Sequence, residues 1–447
     1  MDDVCSDLEG EERINKIEEL IERDIHQAMQ GIVYNLNTMH SRAGSQVPFS
    51  SINIGLPGYQ NRDDGKAPEY DESIGKDAAL ITRIFLEEFE KGMGKNTPTI
   101  FPNVIFVCKQ GVNVDKEDRF YYLFKLACRV ASKRMNPTFL NVDNSYFKEY
   151  WDKGAIPQCM GCRTNIMSDI NGKPATEGRG NAANVSINLP RIGILADKDT
   201  NKLFKLLDER IELSKDKLIH RKSICSKMKV NDIPFIAGQK LYLGSENLKD
   251  TDTIEEILKH CTWGIGFVGL EECIYAVLGK SRKESLEARE LGLKIVSHIR
   301  EMCDKYTEEY KMNFSCYATP AETIIYKFCQ SDRKRFGIIE GVTNKDYYTN
   351  SFHIPVSQTI SIKEKLLIES PYHSYCNGGS ISYIEIDDYP DPELLEEIVH
   401  WTITETDVRY IGINFHIRYC KDCGRYLHDE NVCECGSHDI QGISRVK

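Results

Sequence analysis

Four cysteines near the C-terminal end have the residue type and spacing of a metal site. Cys420-Lys421-Asp422-Cys423-Gly424 forms one half, and Cys433-Glu434-Cys435-Gly436 follows nine residues later. Paired cysteines, each pair followed by glycine, suit a tetrahedral thiolate site, because glycine lets the turn aim its amides at the sulfurs. The second half is Cys-x-Cys, one residue shorter than the usual knuckle. Structural zinc is the reading taken, with redox use of Cys420 and Cys423 as the alternative. His428 and His438 lie close enough in sequence to substitute for a cysteine. Four protein ligands leave no open position, so such a site holds structure rather than substrate.

A second sulfur differs in kind. In Pro157-Gln158-Cys159-Met160-Gly161-Cys162-Arg163-Thr164, glycine precedes Cys162 and arginine follows it. Glycine supports a tight loop tip, where Cys162 could serve as a reactive sulfur. A loop thiol without a role is the alternative, and Cys159-x-x-Cys162 could be a zinc half-site, though no partner pair lies nearby. The chain has sixteen cysteines. Its length and lack of an export signal argue against a disulfide scaffold. Cys108, Cys128, Cys261, Cys273, Cys303, Cys316, Cys329 and Cys376 lie in or beside apolar elements and read as packing residues. Cys5 and Cys225 have polar surroundings and no partner.

A third feature could hold phosphate. Asn313-Phe314-Ser315-Cys316-Tyr317-Ala318-Thr319-Pro320-Ala321-Glu322 runs from a strand toward a helix. Thr319 suits the N-cap, Pro320 the first helical position and Glu322 the third position of a capping box. Free amides and the positive dipole end at such a start attract phosphate. An ordinary capped helix is the alternative. Gly264-Ile265-Gly266-Phe267-Val268-Gly269 lacks the spacing of a dinucleotide fingerprint and is strand-like.

The elements that must position these groups alternate. Helical spacing of apolar residues marks the first thirty residues, Lys76–Lys91, Asp115–Arg134, Asp197–Asp216 and Arg282–Tyr306. Strand-like runs are Gln46–Leu56, Ile105–Val107, Thr138–Asn141, Val185–Leu189, Trp263–Gly269, Asn313–Tyr317, Ser380–Ile386 and Tyr410–Phe415. Such alternation implies an α/β architecture with many parallel pairs. The 447 residues are enough for two or three domains or one large barrel, and 41% apolar with 28% charged residues is ordinary for a globular chain. A net charge of −11 excludes a generally basic nucleic-acid coat but not a local basic pocket. No apolar stretch approaches membrane-spanning length, and the acidic first residues lack an apolar signal core, so a cytoplasmic protein is expected.

Together these motifs resemble the anaerobic (class III) ribonucleoside-triphosphate reductases, which are glycyl-radical enzymes. The resemblance rests on Phe49-Ser50-Ser51-Ile52-Asn53, Phe101-Pro102, Gly111-Val112-Asn113, Lys125-Leu126-Ala127-Cys128, Met160-Gly161-Cys162-Arg163-Thr164 and Arg179-Gly180-Asn181. It continues in Ile187-Asn188-Leu189-Pro190-Arg191, Gly266-Phe267-Val268-Gly269-Leu270, Ala318-Thr319-Pro320-Ala321-Glu322, Tyr347-Tyr348-Thr349-Asn350-Ser351, Gly378-Gly379-Ser380-Ile381-Ser382-Tyr383 and the cysteine cluster. It implies that Cys162 becomes the thiyl radical that takes the 3′ hydrogen of the ribose, and that Asn181 lies near the sugar. It implies that Ala318, Thr319, Pro320, Ala321 and Glu322 form the substrate-phosphate loop, and that Cys420, Cys423, Cys433 and Cys435 hold Zn2+. The implied fold is a ten-stranded α/β barrel of two antiparallel halves over residues 1–410, here incomplete, with a small zinc-binding subdomain over 411–447. The family also implies formate as reductant, dNTP or ATP effectors, an iron–sulfur activase that cleaves S-adenosylmethionine, and a homodimer. Neither a membrane nor direct nucleic-acid binding is expected.

The sequence departs from the family at both ends. The family follows its zinc segment with R-x-x-G-Y, whose glycine stores the radical; here the sequence given reads Ile443-Ser444-Arg445-Val446-Lys447. The family also has an upstream part, with a first barrel strand and a second active-site cysteine, that finds no counterpart before Glu11. The expectation is therefore a reductase polypeptide that receives its glycyl radical from a missing segment or a complementing polypeptide. The alternative is a catalytically inactive, zinc-containing nucleotide-binding fragment or remnant.

Overall fold

Asn103-Val104-Ile105-Phe106-Val107-Cys108 is apolar without alternation, the pattern of a strand covered on both faces. The structure is a computed structural model that describes residues 10–39, 49–94, 99–161, 163–234, 236–387, 389–427 and 430–443. This run is strand β2 (Asn103–Cys108), and all but its first residue are buried. The other strands are β1 (Ser51–Ile54), β3 (Thr138–Asn141), β4 (Asn181–Asn188), β5 (Thr262–Val268), β6 (Asn313–Ala318), β7 (Ser382–Glu385), β8 (Tyr410–Asn414), β9 (Ile417–Cys420), β10 (Tyr426–Leu427) and β11 (Ile440–Ile443).

These strands form three sheets, in the orders β1-β2-β3-β8-β7, β4-β5-β6 and β10-β9-β11. In the first, β1, β2 and β3 run parallel, β7 and β8 run parallel, and the direction reverses where β3 meets β8. The second is wholly parallel. Gly379, just ahead of β7, makes a parallel bridge to Tyr317 of β6 and so sets the two sheets side by side. Parallel neighbours need crossovers, and helices provide them. Glu72–Lys91 joins β1 to β2, Tyr121–Arg134 joins β2 to β3, and Pro392–Glu405 joins β7 to β8. Thr200–Cys225 lies between β4 and β5, and Leu286–Tyr310 between β5 and β6. Asp71, Asp199, Ser285 and Asp391 cap four of these helices by accepting first-turn amides.

Successive residues of a strand serve opposite faces. Val104, Phe106 and Cys108 pack against the helices with Phe85, Phe89 and Phe124. Ile105 and Val107 point the other way, toward Leu140, Tyr410 and Cys159. In the second sheet Trp263, Ile265, Phe267, Phe314 and Cys316 build the helix-side core with Leu207, Ile211, Ile295 and Ile299. The eight cysteines read as packing residues are all buried free thiols. Burial pushes Cys273 up to about 12 and Cys261 up to about 11. Cys225 is half-buried, and Cys5 lies outside the described residues.

The expected mixed α/β fold is present, and the eleven strands of the described residues fall into separate sheets. Two expectations need correction. The helix expected from Asp115 begins at Tyr121. The turn before it is locked by Asp118, which accepts from the amides of Val114 and Asp115, and by Asn113, which donates to the carbonyls of Gly55 and Val107. The strand expected over Gln46–Leu56 is reduced to Ser51–Ile54, with residues 46–48 outside the described set. No helix among the described residues is long and apolar enough to cross a membrane.

Candidate active site

The loop around Cys162 is a short hairpin. Cys159 and Asn165 form an antiparallel bridge, the Met160 amide donates to the Thr164 carbonyl, and the Arg163 amide donates to the Met160 carbonyl, both at 2.9 Å. Cys162 lies outside the described residues, while its chain neighbours are bonded to both sheets. The Gly161 amide donates to Ser51 Oγ at 2.7 Å, and Asn53 exchanges two bonds with the Cys159 backbone. A Cβ on Gly161 would stand 2.6 Å from both Ser51 Oγ and Asn103 Nδ2, so the loop reaches the first sheet only because a glycine is there. On its other side Thr164 Oγ1 meets Tyr317 Oη of β6 at 2.8 Å, and the Asn165 amide donates to the Gly378 carbonyl. The hairpin is thus clasped between the two sheets.

The same face of the second sheet carries a polar strip. In register across it lie Asn184, Gly264 and Ser315, then Ser186, Gly266 and Tyr317. The two β5 glycines leave room that side chains from neighbouring segments fill. A Cβ on Gly264 would meet Asn184 Oδ1 at 2.1 Å, and one on Gly266 would meet Thr319 Oγ1 at 2.1 Å. Asn181, at the start of β4, donates to Asn184 Oδ1 at 3.0 Å, while its own Oδ1 is buried without a partner. Ser315 Oγ is likewise buried and unpartnered. Two orphaned polar atoms on one strip can serve a polar ligand.

The capped helix start expected at Thr319 does not form. Thr319 is not an N-cap; its hydroxyl pairs with Ser186 Oγ at 2.9 Å. The helix begins at Thr323, with Glu322 at the cap position and no side-chain capping bond. Asn350 clamps Ala321 from both sides, accepting from its amide at 3.0 Å and donating to its carbonyl at 2.7 Å. These bonds hold Thr319 and Ala321 outside the helix, which is why the capping box does not form.

Asn350 belongs to a segment held by buried charges. Glu272 accepts from the amide and hydroxyl of Thr349, and Lys345 Nζ joins it at 2.6 Å. The buried guanidinium of Arg282, paired with Glu271, donates to the carbonyls of Phe352 and His353. Glu369 accepts from the amide of Ile354. His353 Nε2 lies 3.3 Å from Arg163 Nη1, and Arg163 Nη2 donates to Tyr383 Oη at 3.2 Å. A cavity of about 340 Å³ is lined by Asn350, His353, Lys345, Lys365 and Tyr383.

Burial alone would raise the Glu369 carboxyl, but Lys365, His353 and Ser382 outweigh it and hold it well below the usual range. Burial, aided by Arg163, lowers His353 despite Glu369. Burial, then Arg409, lowers His373 further. A neutral His353 can accept from Arg163. His373 contacts Ser380 and Ser382 at 3.0 Å, and Ser380 accepts from Arg409 at 2.7 Å. With its amide oxygen turned to Arg409, Asn165 accepts from that guanidinium at 3.1–3.2 Å.

The C-terminal cysteines converge. Cys420 ends β9, Cys423 follows in a turn, and Cys433 and Cys435 lie between β10 and β11. Their four sulfurs lie within 4.8 Å of one another, with 3.7 Å between Cys420 and Cys435 and 3.4 Å between Cys423 and Cys433. Tetrahedral zinc–thiolate bonds would space sulfurs about 3.8 Å apart, so this donor set fits such an ion and can hold a metal. The shorter second half is no obstacle: Gly436, at φ +87°, turns the chain back, and its amide bonds the Cys433 carbonyl. The amide of Cys423 leads in pulling the Cys420 thiol down to about 6. His438 is outside this group, and His428 lies outside the described residues.

Three residues that shape the site, Asn350, His353 and Glu272, escape sequence reasoning. Tyr347–Ser351 carries the family resemblance, but nothing local assigns Asn350 a partner 29 residues away or His353 one 190 residues away.

A family model described as anaerobic ribonucleoside-triphosphate reductase matches residues 11–447. The anaerobic ribonucleoside-triphosphate reductase of Escherichia coli is 32% identical over 445 residues, covering 94% of this chain and 58% of the relative. That of Salmonella typhimurium is 32% identical over 444 residues, covering 95% and 58%. That of enterobacteria phage T4 is 30% identical over 450 residues, covering 97% and 69%. The chain thus spans little more than half the length of the two bacterial relatives. A solved anaerobic ribonucleotide reductase superposes with a TM-score of 0.69 at 19% identity, over 96% of this chain and 63% of that one. The Thermotoga maritima enzyme in complex with dATP and CTP does so with a TM-score of 0.69 at 18% identity, over 96% and 66%. The fold is shared with these structures.

Proposed function

The chain belongs to the anaerobic ribonucleoside-triphosphate reductase family, and from that we propose that it performs the nucleotide chemistry of such an enzyme, reducing ribonucleoside triphosphates to 2′-deoxyribonucleoside triphosphates for DNA synthesis. One observation carries the reading. The hairpin containing Gly161 and Arg163 is clasped between the two sheets, and Thr164 bonds Tyr317, two residues ahead of Thr319 in the phosphate loop.

In this reading Cys162 takes the 3′ hydrogen of the ribose. An S–H bond is comparable in strength to that C–H bond, so the transfer is near balance, and the protein's task is to place sulfur against one hydrogen and exclude water. Asn181, with its unpartnered Oδ1, faces the sugar. Residues 318–322 and the helix start at Thr323 receive the phosphates. The radical itself is stored on a glycyl residue and generated by an iron–sulfur activase that uses S-adenosylmethionine. Formate is the reductant, dNTP or ATP the effector, the assembly a homodimer and the compartment the cytoplasm.

The division at residue 410 is part of the same proposal: a catalytic part whose strands belong to a ten-stranded barrel, and a C-terminal part in which Cys420, Cys423, Cys433 and Cys435 hold structural zinc. The Gly379–Tyr317 bridge supports the barrel, because it makes one succession of β1-β2-β3-β8-β7-β6-β5-β4 with a single reversal.

The test is anaerobic turnover of the whole protein with its activase. Wild type is expected to form deoxyribonucleotide and Cys162→Ser to form none; a Cys162→Ser protein that still reduces nucleotides overturns the reading. Tight triphosphate binding without turnover, activase present, would establish the inactive nucleotide-binding alternative.

A further inference from the structure

We propose that Asn350 and His353 are positioning residues, which fix the phosphate loop and the Cys162 hairpin from one rigid segment. The proposal rests on the functional reading above and names two residues that act through others.

The argument is geometric. The Asn350 carboxamide satisfies both backbone groups of Ala321, at 3.0 and 2.7 Å, and so dictates where the chain leaves β6. Three residues on, His353 Nε2 sits 3.3 Å from Arg163 Nη1, beside position 162. Arg163 has φ +71°, a conformation a non-glycine residue keeps only when its surroundings hold it. The two contacts cannot drift apart, because the His353 amide donates to the Asn350 carbonyl at 3.0 Å. The segment is fixed from outside as well. Glu272 holds Thr349, Arg282 holds the His353 carbonyl, and the amides of Gly269 and Leu270 bond the carbonyls of Thr349 and Ser351. Glu272 and Arg282 are fully buried, which makes the anchoring expensive to break. Such reinforcement is more than a surface connection needs, and it converges on a stretch that touches both loops. A sulfur and a triphosphate site must keep a fixed separation for hydrogen transfer, since an error of about 1 Å can cost 10²-fold in rate.

Hydrogen exchange and triphosphate affinity, measured on the full chain, test this. Asn350→Ala is expected to raise exchange across 318–322 at least tenfold and weaken ATP or CTP binding about tenfold, with the 159–165 peptide within twofold of wild type. His353→Ala is expected to do the reverse, loosening 159–165 at least tenfold with affinity within threefold. His353→Gln keeps an acceptor for Arg163 and is expected to restore protection. In the assembled enzyme the same split appears as KM for Asn350→Ala and kcat for His353→Ala. If Asn350→Ala does not fold, Asn350→Asp, which loses only the donor to the Ala321 carbonyl, is read in its place. Folded variants that leave their own loop within twofold of wild type overturn the proposal, as do variants that loosen both loops equally. If wild type binds no triphosphate, the functional reading fails, while the exchange measurements still decide this one.

Discussion

The carbonyl oxygen of Arg163 occupies the space where a side chain on Gly379 would begin. A Cβ built there would stand 2.0 Å from that oxygen, and Gly379 itself has φ +133°. The hairpin that carries Cys162 is therefore seated against a residue that only glycine satisfies, at the point where the two sheets join.

Gly379→Ala should accordingly do more than fill space. The nearest atoms are backbone, which cannot swing aside, and the conformation is strained for any L side chain. A loss of about 2 kcal/mol or more is expected, read from the urea midpoint, together with faster exchange across 159–165. An unchanged midpoint would mean that the hairpin sits elsewhere.

Gly266→Ala should behave differently. Its Cβ would meet Thr319 Oγ1 at 2.1 Å, the end of a side chain that can rotate, and the Tyr317 carbonyl at 3.1 Å. Rotation would break the Ser186–Thr319 bond, worth about 1 kcal/mol. The fold should survive, and triphosphate affinity, followed by equilibrium binding, should fall several-fold. A stability loss with affinity intact would remove Thr319 from the phosphate site.

Stability should decline as pH falls from 7 to 5. His353 and His373 are buried with pKa values lowered by burial. Below about 6.5 the unfolded chain protonates these rings while the folded chain does not, so each adds a slope of up to about 1.4 kcal/mol per pH unit. The stability from neutral burial is complete above that pH and drains below it. Glu369, held low, contributes above about 4.3 and loses its contribution only as pH falls further. Thermal midpoints at pH 7, 6 and 5 for wild type and for His373→Asn check this; an equal slope in both would rule out His373 as a source.

Removing the metal should loosen one end of the molecule only. Native mass spectrometry is expected to find one zinc ion per chain in wild type and none in Cys433→Ser, with the amides of β9–β11 opened to exchange. Cys420, Cys433 and Leu427 form a cluster separate from the larger cores, so protection of β1–β8 should persist. Zinc retained at full occupancy in this variant would exclude Cys433 as a ligand.

Much of this protein is legible locally. The apolar run of β2, the alternation of strands and helices, the eight packing cysteines and the paired C-terminal cysteines all follow from residue type and spacing, because burial and turn formation act over a few residues. Tertiary structure decided the rest. Thr319-Pro320-Ala321-Glu322 has every local mark of a capped helix start, yet Asn350 and Ser186 claim its groups first. The shortened Cys433-x-Cys435 looks inadequate in sequence and is completed by the fold of β9–β11 around it. Arg163 and His353, 190 residues apart, meet only because parallel register, the β3/β8 reversal and the bare backbone of Gly379 bring two sheets together. A local pattern records which bonds a residue can make; which of them it does make depends on partners that only the folded chain supplies.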